Sequence, residues 1–321
     1  MSFTNHFQEV FQAQTDCFSD ILGQFQAKRQ IQSALLTNRH ILILGPPGVG
    51  KTTLAKNIAK LLPKNEKGEE VFIRVQGSPD LTVEDLIGDI DPVKALQFGP
   101  TSSQAFQPGK IFQANEGILF FDEVNRCSEK LQNALLQALE EKIATIGSYD
   151  IDLPANFIFI GTLNPSDSST EKLSEAFLDR FDIIEMQYPE SFDIELQIVL
   201  HSGEKLAVDY PQSILQQTIA FVRKLRDPQK LTKMPSVRAT IGLYERAQAN
   251  AFLSQKKIVD IKHVYEAVKS VLAHRIELKP SLKYAQKTED FVSEEFARFA
   301  KEQQIIFEDE PVDESENGDS T

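Results

Sequence analysis

The stretch Gly45-Pro46-Pro47-Gly48-Val49-Gly50-Lys51-Thr52 satisfies the pattern G-x-x-x-x-G-K-[ST]. Its glycines allow backbone N–H groups to turn inward around phosphate oxygens, and a helix starting at Lys51 would add its positive N-terminus. Lys51 can then reach the outer phosphates, and the Thr52 hydroxyl can ligate Mg²⁺. Thr53, next along the same helix start, completes the nucleotide-binding set. A second chemical pair stands at the end of an apolar run, where Ile118-Leu119-Phe120-Phe121 leads into Asp122-Glu123. Beside a phosphate loop, Asp122 is suited to hold Mg²⁺, directly or through water, and Glu123 to polarise an attacking water as general base. Acidic residues also end ordinary strands, so the pair takes its meaning from the loop upstream.

These groups need a strand before the loop and a helix after it. The apolar Ile41-Leu42-Ile43-Leu44 runs into Gly45, and Leu54, Ile58, Leu61 and Leu62 recur at helical spacing over Lys51–Leu62. Pro63 and the polar segment after it stop that helix. Val71–Val75, Ile118–Phe121 and Phe157–Ile160 read as further strands, and the first forty residues as helical. Strands alternating with helices argue for a parallel sheet covered on both faces. From about Ser191 the pattern changes: Ile194–Leu200, Ser213–Leu225, Val237–Leu253 and Ile261–Leu272 read as helices, and strand signals vanish. A domain boundary is therefore expected near Pro189, with an α/β body over residues 1–190 and a smaller all-helical domain over 191–280. A helical extension is expected over 281–307, including Phe291–Phe307, and a disordered acidic tail over 308–321.

Charge narrows the partners. The net charge is −13; the seven carboxylates from Glu308 onward account for part of it, but 34 basic against 40 acidic residues remain without them. Phosphate backbones attract basic surfaces, so nucleic acid is disfavoured as principal substrate. No apolar run approaches the roughly 18 residues of a membrane span, and the N-terminus lacks the basic-then-apolar pattern of a signal peptide. A cytoplasmic protein without membrane association is expected, with Cys17 and Cys127 as buried thiols rather than a redox or ligand motif. No N-K-x-D motif for guanine occurs.

Asp122-Glu123-Val124-Asn125-Arg126, with the helical SEKLQNALLQALEEK after it, resembles the segment that marks MoxR-type AAA+ ATPases. Thr162-Leu163-Asn164-Pro165 stands where such proteins carry sensor 1. Leu173–Asp182 is similar to their arginine-finger segment, and Pro235-Ser236-Val237-Arg238-Ala239 resembles their sensor 2 region. The resemblance covers roughly residues 18 to 280, in order. It implies an AAA+ αβα sandwich with a parallel sheet and a helical lid, using ATP and Mg²⁺ in a homo-oligomeric ring, expected to be a hexamer. In that reading Asn164 orients water beside Glu123, and Arg180 serves a neighbouring subunit's site. Arg238 contacts the γ-phosphate, and Ile21 and Leu22 pack against adenine. The plainer alternatives are an ion pair of Arg180 with Asp179 or Asp182, a turn at Asn164, a solvated Arg238, and an ordinary core contact at Ile21-Leu22.

Gly88–Lys110 resembles the insert in the second helix carried by this clade, and residues 142–154 resemble the hairpin before sensor 1. Both are expected to face a pore or upper rim; decorative surface loops are the alternative. The implied activity is ATP-driven remodelling of a protein client, often one with a von Willebrand factor A domain, or metal-cofactor insertion. A magnesium-chelatase-like I-type subunit is the near alternative, and a nucleotide-dependent scaffold the alternative of another class.

Overall fold

The computed structural model describes residues 3–13, 16–65, 67–99, 102–141, 143–145, 152–164 and 173–304. The chain divides into two compact units, Met1–Glu190 and Ser191–Thr321.

The first unit opens with helices α1 (Phe3–Ala13) and α2 (Phe25–Leu36), followed by strand β1 (His40–Leu44), helix α3 (Lys51–Lys60) and strand β2 (Phe72–Gln76). Helix α4 (Val83–Ile87), strand β3 (Gly88–Ile90), helix α5 (Pro92–Phe98), strand β4 (Phe106–Pro108) and helix α6 (Lys110–Gln113) come next. The unit continues with strand β5 (Ile118–Asp122), helix α7 (Glu129–Glu141), the short strands β6 (Ile143–Thr145) and β7 (Asp152–Pro154), and strand β8 (Ile158–Leu163). Helix α8 (Glu175–Leu178) and strand β9 (Phe181–Glu185) complete it.

Five of these strands form one parallel sheet in the order β2-β5-β8-β1-β9. Their near-continuous apolar runs follow from burial on both faces. Ile41, Ile43, Phe120, Ile158 and Ile160 point to one side, where they meet Ile31 and Leu35 of α2 and Leu54 and Ile58 of α3. Leu42, Leu119, Phe121 and Phe159 point to the other, against Leu86, Ile111, Leu131, Leu135 and Phe177. Alternation of period two along each strand thus feeds two separate cores, and the layers are helix, sheet, helix. Cys17 lies in the first core and Cys127 in the second, both buried.

The sequence reading identifies β1, β2 and β5 within a residue and ends β8 three residues early, and it places no strand at β9. Phe181-Asp182-Ile183-Ile184-Glu185 alternates weakly because β9 is an edge strand, with Ile183 half exposed and Asp182 paired to Arg39 across 3.1 Å. The segment 88–110 is an antiparallel pair, β3 with β4, enclosing α5. β6 and β7 form the expected antiparallel hairpin, whose tip falls outside the described residues.

The second unit holds helices α9 (Phe192–Ser202), α10 (Gln212–Leu225), α11 (Val237–Leu253) and α12 (Ile261–Leu272). A short helix α13 (Pro280–Lys283) and the long α14 (Thr288–Glu302) follow. Its core gathers Phe221, Leu243, Ala247, Val264, Val268, Phe296 and Phe299. Strands β10 (Leu231–Lys233) and β11 (Glu277–Leu278) add a small antiparallel ladder, too short to leave a periodic signal in sequence. The acidic tail lies outside the described residues. Among the described residues no helix is long and apolar enough to cross a membrane.

A fully buried Glu195 on α9 ties this unit together. Its carboxylate accepts from Arg226 at 2.6 and 2.8 Å, from Arg223 at 3.0 Å and from Thr240 of α11 at 2.7 Å. Burial alone would raise its pKa, but the hydrogen bonds and charge of Arg226, with Thr240 and Arg223, outweigh that and hold it below the usual carboxylate range. The folded value is thus below the unfolded one, so the network stabilises above the unfolded pKa of roughly 4 and loses that contribution as pH falls through the folded value. Glu195→Gln leaves the buried Arg226 and the partly buried Arg223 without their counter-charge and should cost the helical unit about 3–5 kcal/mol. Thermal melts of both proteins from neutral to acid pH check this: the wild type should lose stability below about pH 4, and the variant should start lower and show a flatter acid limb.

Candidate nucleotide site

In a parallel sheet the carboxyl ends of the strands share one edge, and here register aligns them closely. Leu44 pairs with Leu163 and Glu185, and Gln76 with Asp122. The loop Gly45–Gly50 leaves β1 at this edge, between the ends of β8 and β9, and delivers the chain into α3. Such a crevice, where neighbouring strands continue to opposite sides of the sheet, is the general ligand position in open α/β sheets.

The loop is held from both sides. Gly45 N–H donates to Leu163 O across 3.4 Å, and a Cβ on Gly45 would stand 2.4 Å from Met186 O, so no larger residue fits there. Pro46, Pro47 and Val49 are half-buried, Val49 against the first core, and Gly48 and Gly50 take left-handed φ of 80° and 99°. Helix α3 has no side-chain cap at Gly50, which leaves its N-terminal amides to a ligand or water. Lys51 Nζ folds over the loop, donating to Gly45 O at 2.6 Å and Pro46 O at 3.0 Å. Thr52 is half-buried beside it, and Thr53 is exposed.

Ile21 is buried with its Cδ1 3.6 Å from where a Cβ on Gly50 would lie, and Leu22 is half-buried. The segment is anchored next door: the Gln24 amide donates to Gln187 O at 2.5 Å and accepts from Gln187 N–H at 3.3 Å. This pairing holds Ile21 against the loop.

Asp122 and Glu123 sit across the edge from the loop. Thr162, fully buried near the end of β8, joins them: its hydroxyl donates to Asp122 Oδ1 at 2.7 Å and accepts from Glu123 N–H at 2.9 Å. Glu123 itself takes a left-handed backbone (φ 57°), a conformation that costs a non-glycine residue about 1–2 kcal/mol and turns the chain off the strand. Gly77 makes room for that turn, since a Cβ on it would lie 2.0 Å from Glu123 O. The Glu123 carboxylate accepts from Gln76 Nε2 at 3.2 Å and lies 3.5 Å from Arg126 Nε. Asp122 Oδ2 is paired with Arg74 at 2.7 Å.

Asn164 follows β8, and its carbonyl accepts a long hydrogen bond, 3.5 Å, from the buried Asn125 amide. Gln76, Gly77 and Arg74 are absent from the sequence-derived set, and Thr162 enters it only as a neighbour of Asn164 with no role, because no local motif announces a hydroxyl or guanidinium that reaches its partner across a sheet. Arg180 stands on the exposed surface of the body and pairs with Glu140 of α7, not with Asp179 or Asp182 as its plain alternative expects. Asp182 is taken by Arg39, which lies alongside it across the β1–β9 pair. Arg238 is exposed in the first turn of α11 within the second unit.

Comparison with known proteins gives this geometry its family. Residues 40–183 match the AAA_3 family, ATPases associated with various cellular activities, and residues 229–295 match an AAA lid domain. The chain is 31% identical to the uncharacterized protein YeaC of Bacillus subtilis, over 78% of this chain and 82% of that one. It belongs to the MoxR-like AAA+ ATPases. It is 26% identical to the chaperone MoxR1 of Mycobacterium tuberculosis, over 80% of this chain and 73% of that protein. It is also 25% identical to the magnesium-chelatase 38 kDa subunit of Chlorobaculum tepidum, over 82% and 81%.

AAA+ proteins as a class use ATP with Mg²⁺, and the residues of this MoxR-like chain fit that ion. A threonine hydroxyl and one carboxylate are hard oxygen donors, and Mg²⁺ is commonly bound by one or two such groups plus phosphates rather than by a protein cage.

Thr162→Val keeps the shape and removes the hydroxyl that joins Asp122 to Glu123. Thermal stability should fall by about 1–2 kcal/mol, while phosphate release from ATP should slow roughly ten- to a hundredfold. Melting curves beside steady-state turnover will check both; turnover within a factor of two of wild type would show that Thr162 does not orient the pair.

Proposed function

We propose that this chain hydrolyses ATP at the subunit interfaces of a homo-oligomeric ring, in the cytoplasm, and uses the resulting motion to remodel a partner protein. The observation that carries the reading is the convergence on one sheet edge of the loop with Lys51, the Asp122–Glu123 pair and Asn164. Lys51 and the amides of Gly45–Gly50 and the start of α3, including Thr52 and Thr53, hold the phosphates. Thr52 and Asp122 hold Mg²⁺, which draws charge from the phosphate oxygens when bound. Glu123 accepts a proton from the attacking water, and Asn164 orients that water. Ile21 and Leu22 form a wall for adenine.

Arg180 is read as the finger for a neighbouring subunit. Its exposure and its pairing, among the described residues, with the half-exposed Glu140 support this, because that pair can exchange for a phosphate at little cost. Arginines of this kind supply on the order of 10³–10⁵ in rate in other nucleotidases. Arg238, exposed on the lid unit, is assigned to the γ-phosphate, with the domain limits 1–190, 191–280 and 281–307 as expected from sequence. The insert over 88–110 supports a client-facing role: on α5, Val93, Leu96 and Phe98 are all exposed, and the helix buries none of its residues. A polypeptide client, such as a von Willebrand factor A domain protein, fits such a surface better than nucleic acid. A chelatase-type role, with metal insertion as the output, is the second reading, supported by similarity to the chelatase subunit over most of both chains.

Glu123→Gln should block hydrolysis while leaving the loop competent to bind. The native mass of this variant should shift with ATP and Mg²⁺ to a particle of about six subunits. A nucleotide-bound protein that stays monomeric would overturn the ring mechanism.

A further inference from the structure

Both carboxylate oxygens of Asp122 are engaged, and their partners differ in kind. Oδ1 accepts from the buried Thr162 hydroxyl, a neutral contact compatible with a metal on the other oxygen. Oδ2 accepts from the guanidinium of Arg74 at 2.7 Å, and that cation needs the same oxygen that a divalent ion would use. The contact is built by the sheet. Arg74 and Gln76 lie two apart on β2, hence on one face, and Phe72 on the same face stacks on Phe120 of β5 with ring centroids 5.6 Å apart. Register places Arg74 beside Phe120, so its long side chain runs about one strand repeat forward to reach Asp122. Gln76, directly beside Asp122, reaches on to Glu123 in turn. One edge strand therefore supplies a partner to each of the two acidic residues. Asp122 is largely shielded while Arg74 is half exposed, so the arginine can swing into solvent without disturbing a core.

We propose that Arg74 is a positioning residue that competes with the divalent cation for Asp122 and so sets the metal affinity of the nucleotide site. This rests on the ATP–Mg²⁺ reading above. Arg74 neutralises Asp122 while no metal is held, and it must leave Oδ2 as the ion arrives with the nucleotide. Its departure costs part of the metal's binding energy, so the site holds the ion less tightly than it would without the arginine. The pair is half exposed on one side, which limits the effect to the scale of partly screened ion pairs.

The test is titration of Mn²⁺ into a stoichiometric mixture of the full chain and ATPγS, with free ion followed by electron paramagnetic resonance. Wild type, Arg74→Met and Arg74→Lys are compared, with melting curves and ATPγS affinity in EDTA measured on each. Arg74→Met should bind Mn²⁺ roughly two- to fivefold more tightly at unchanged metal-free nucleotide affinity. Arg74→Lys, which keeps the charge, should stay nearer wild type. Equal or weaker Mn²⁺ binding by folded Arg74→Met would overturn the competition and leave Arg74 as a structural strut. If the wild type binds no ATPγS, the ATP reading itself fails and the role of Arg74 falls with it. Normal nucleotide binding with no change on substitution refutes the Arg74 proposal alone.

Discussion

Parallel pairing of β1 with β8 on one side and β9 on the other is the constraint on which the site depends. It brings Leu44, Leu163 and Glu185 to one level, so the loop after β1 starts in a notch between two strand ends. Gly45 then has backbone on both sides, Leu163 and Met186, and the loop can only rise out of the edge before entering α3. The same edge receives Asp122 from β5 and Asn164 from just beyond β8. Backbone segments separated by some 120 residues in sequence, those at Leu44 and Leu163, become neighbours through strand pairing. The chemistry of the loop and that of the acidic pair are therefore one geometric consequence of strand order.

Within that frame, buried polarity is arranged so that each group answers another. Thr162 is fully buried, yet its hydroxyl both donates and accepts, so burial costs it little. Its two contacts act on different things: one orients the Asp122 carboxylate, the other holds the backbone of Glu123 as the chain leaves the strand. The left-handed backbone at Glu123 turns the chain off the strand, and Gly77 leaves the space for it. Strain and close approach gather at these two residues while β5 itself remains regular, a pattern expected where the backbone must present a reactive group.

The lid unit uses an ionic device of another kind. Glu195 of α9 binds Arg223 near the end of α10, Arg226 just after it and Thr240 of α11, and Arg226 also donates to Pro235 O at 2.9 Å. Pro235 precedes Ser236, the N-cap of α11, so through Arg226 the buried carboxylate is tied to the start of the helix that carries Arg238. Buried ion networks add little net stability but specify geometry well when every member is satisfied.

Much of this was legible in the chain order of residues, because the signals are local. The loop Gly45–Thr52, the apolar runs of β1, β5 and β8, the acidic pair ending β5 and the periodic helices after Ser191 each declare themselves within a short window. Adjacency, loop chemistry and hydrophobic period are properties of neighbouring residues, so they survive without a fold. β9 escaped because an edge strand with a half-exposed Ile183 and a paired Asp182 lacks the continuous apolar run of its buried neighbours. The contacts of Thr162 with Asp122, Gln76 with Glu123, Arg74 with Asp122 and Arg180 with Glu140 escaped for a different reason. Each spans about forty residues or more and exists only once register sets two strands or helices side by side. Residue types and spacing specified which reactive groups this protein carries; which side chains orient, neutralise or compete with those groups was left to packing, because partner choice across a sheet depends on strand order and register rather than on any local pattern.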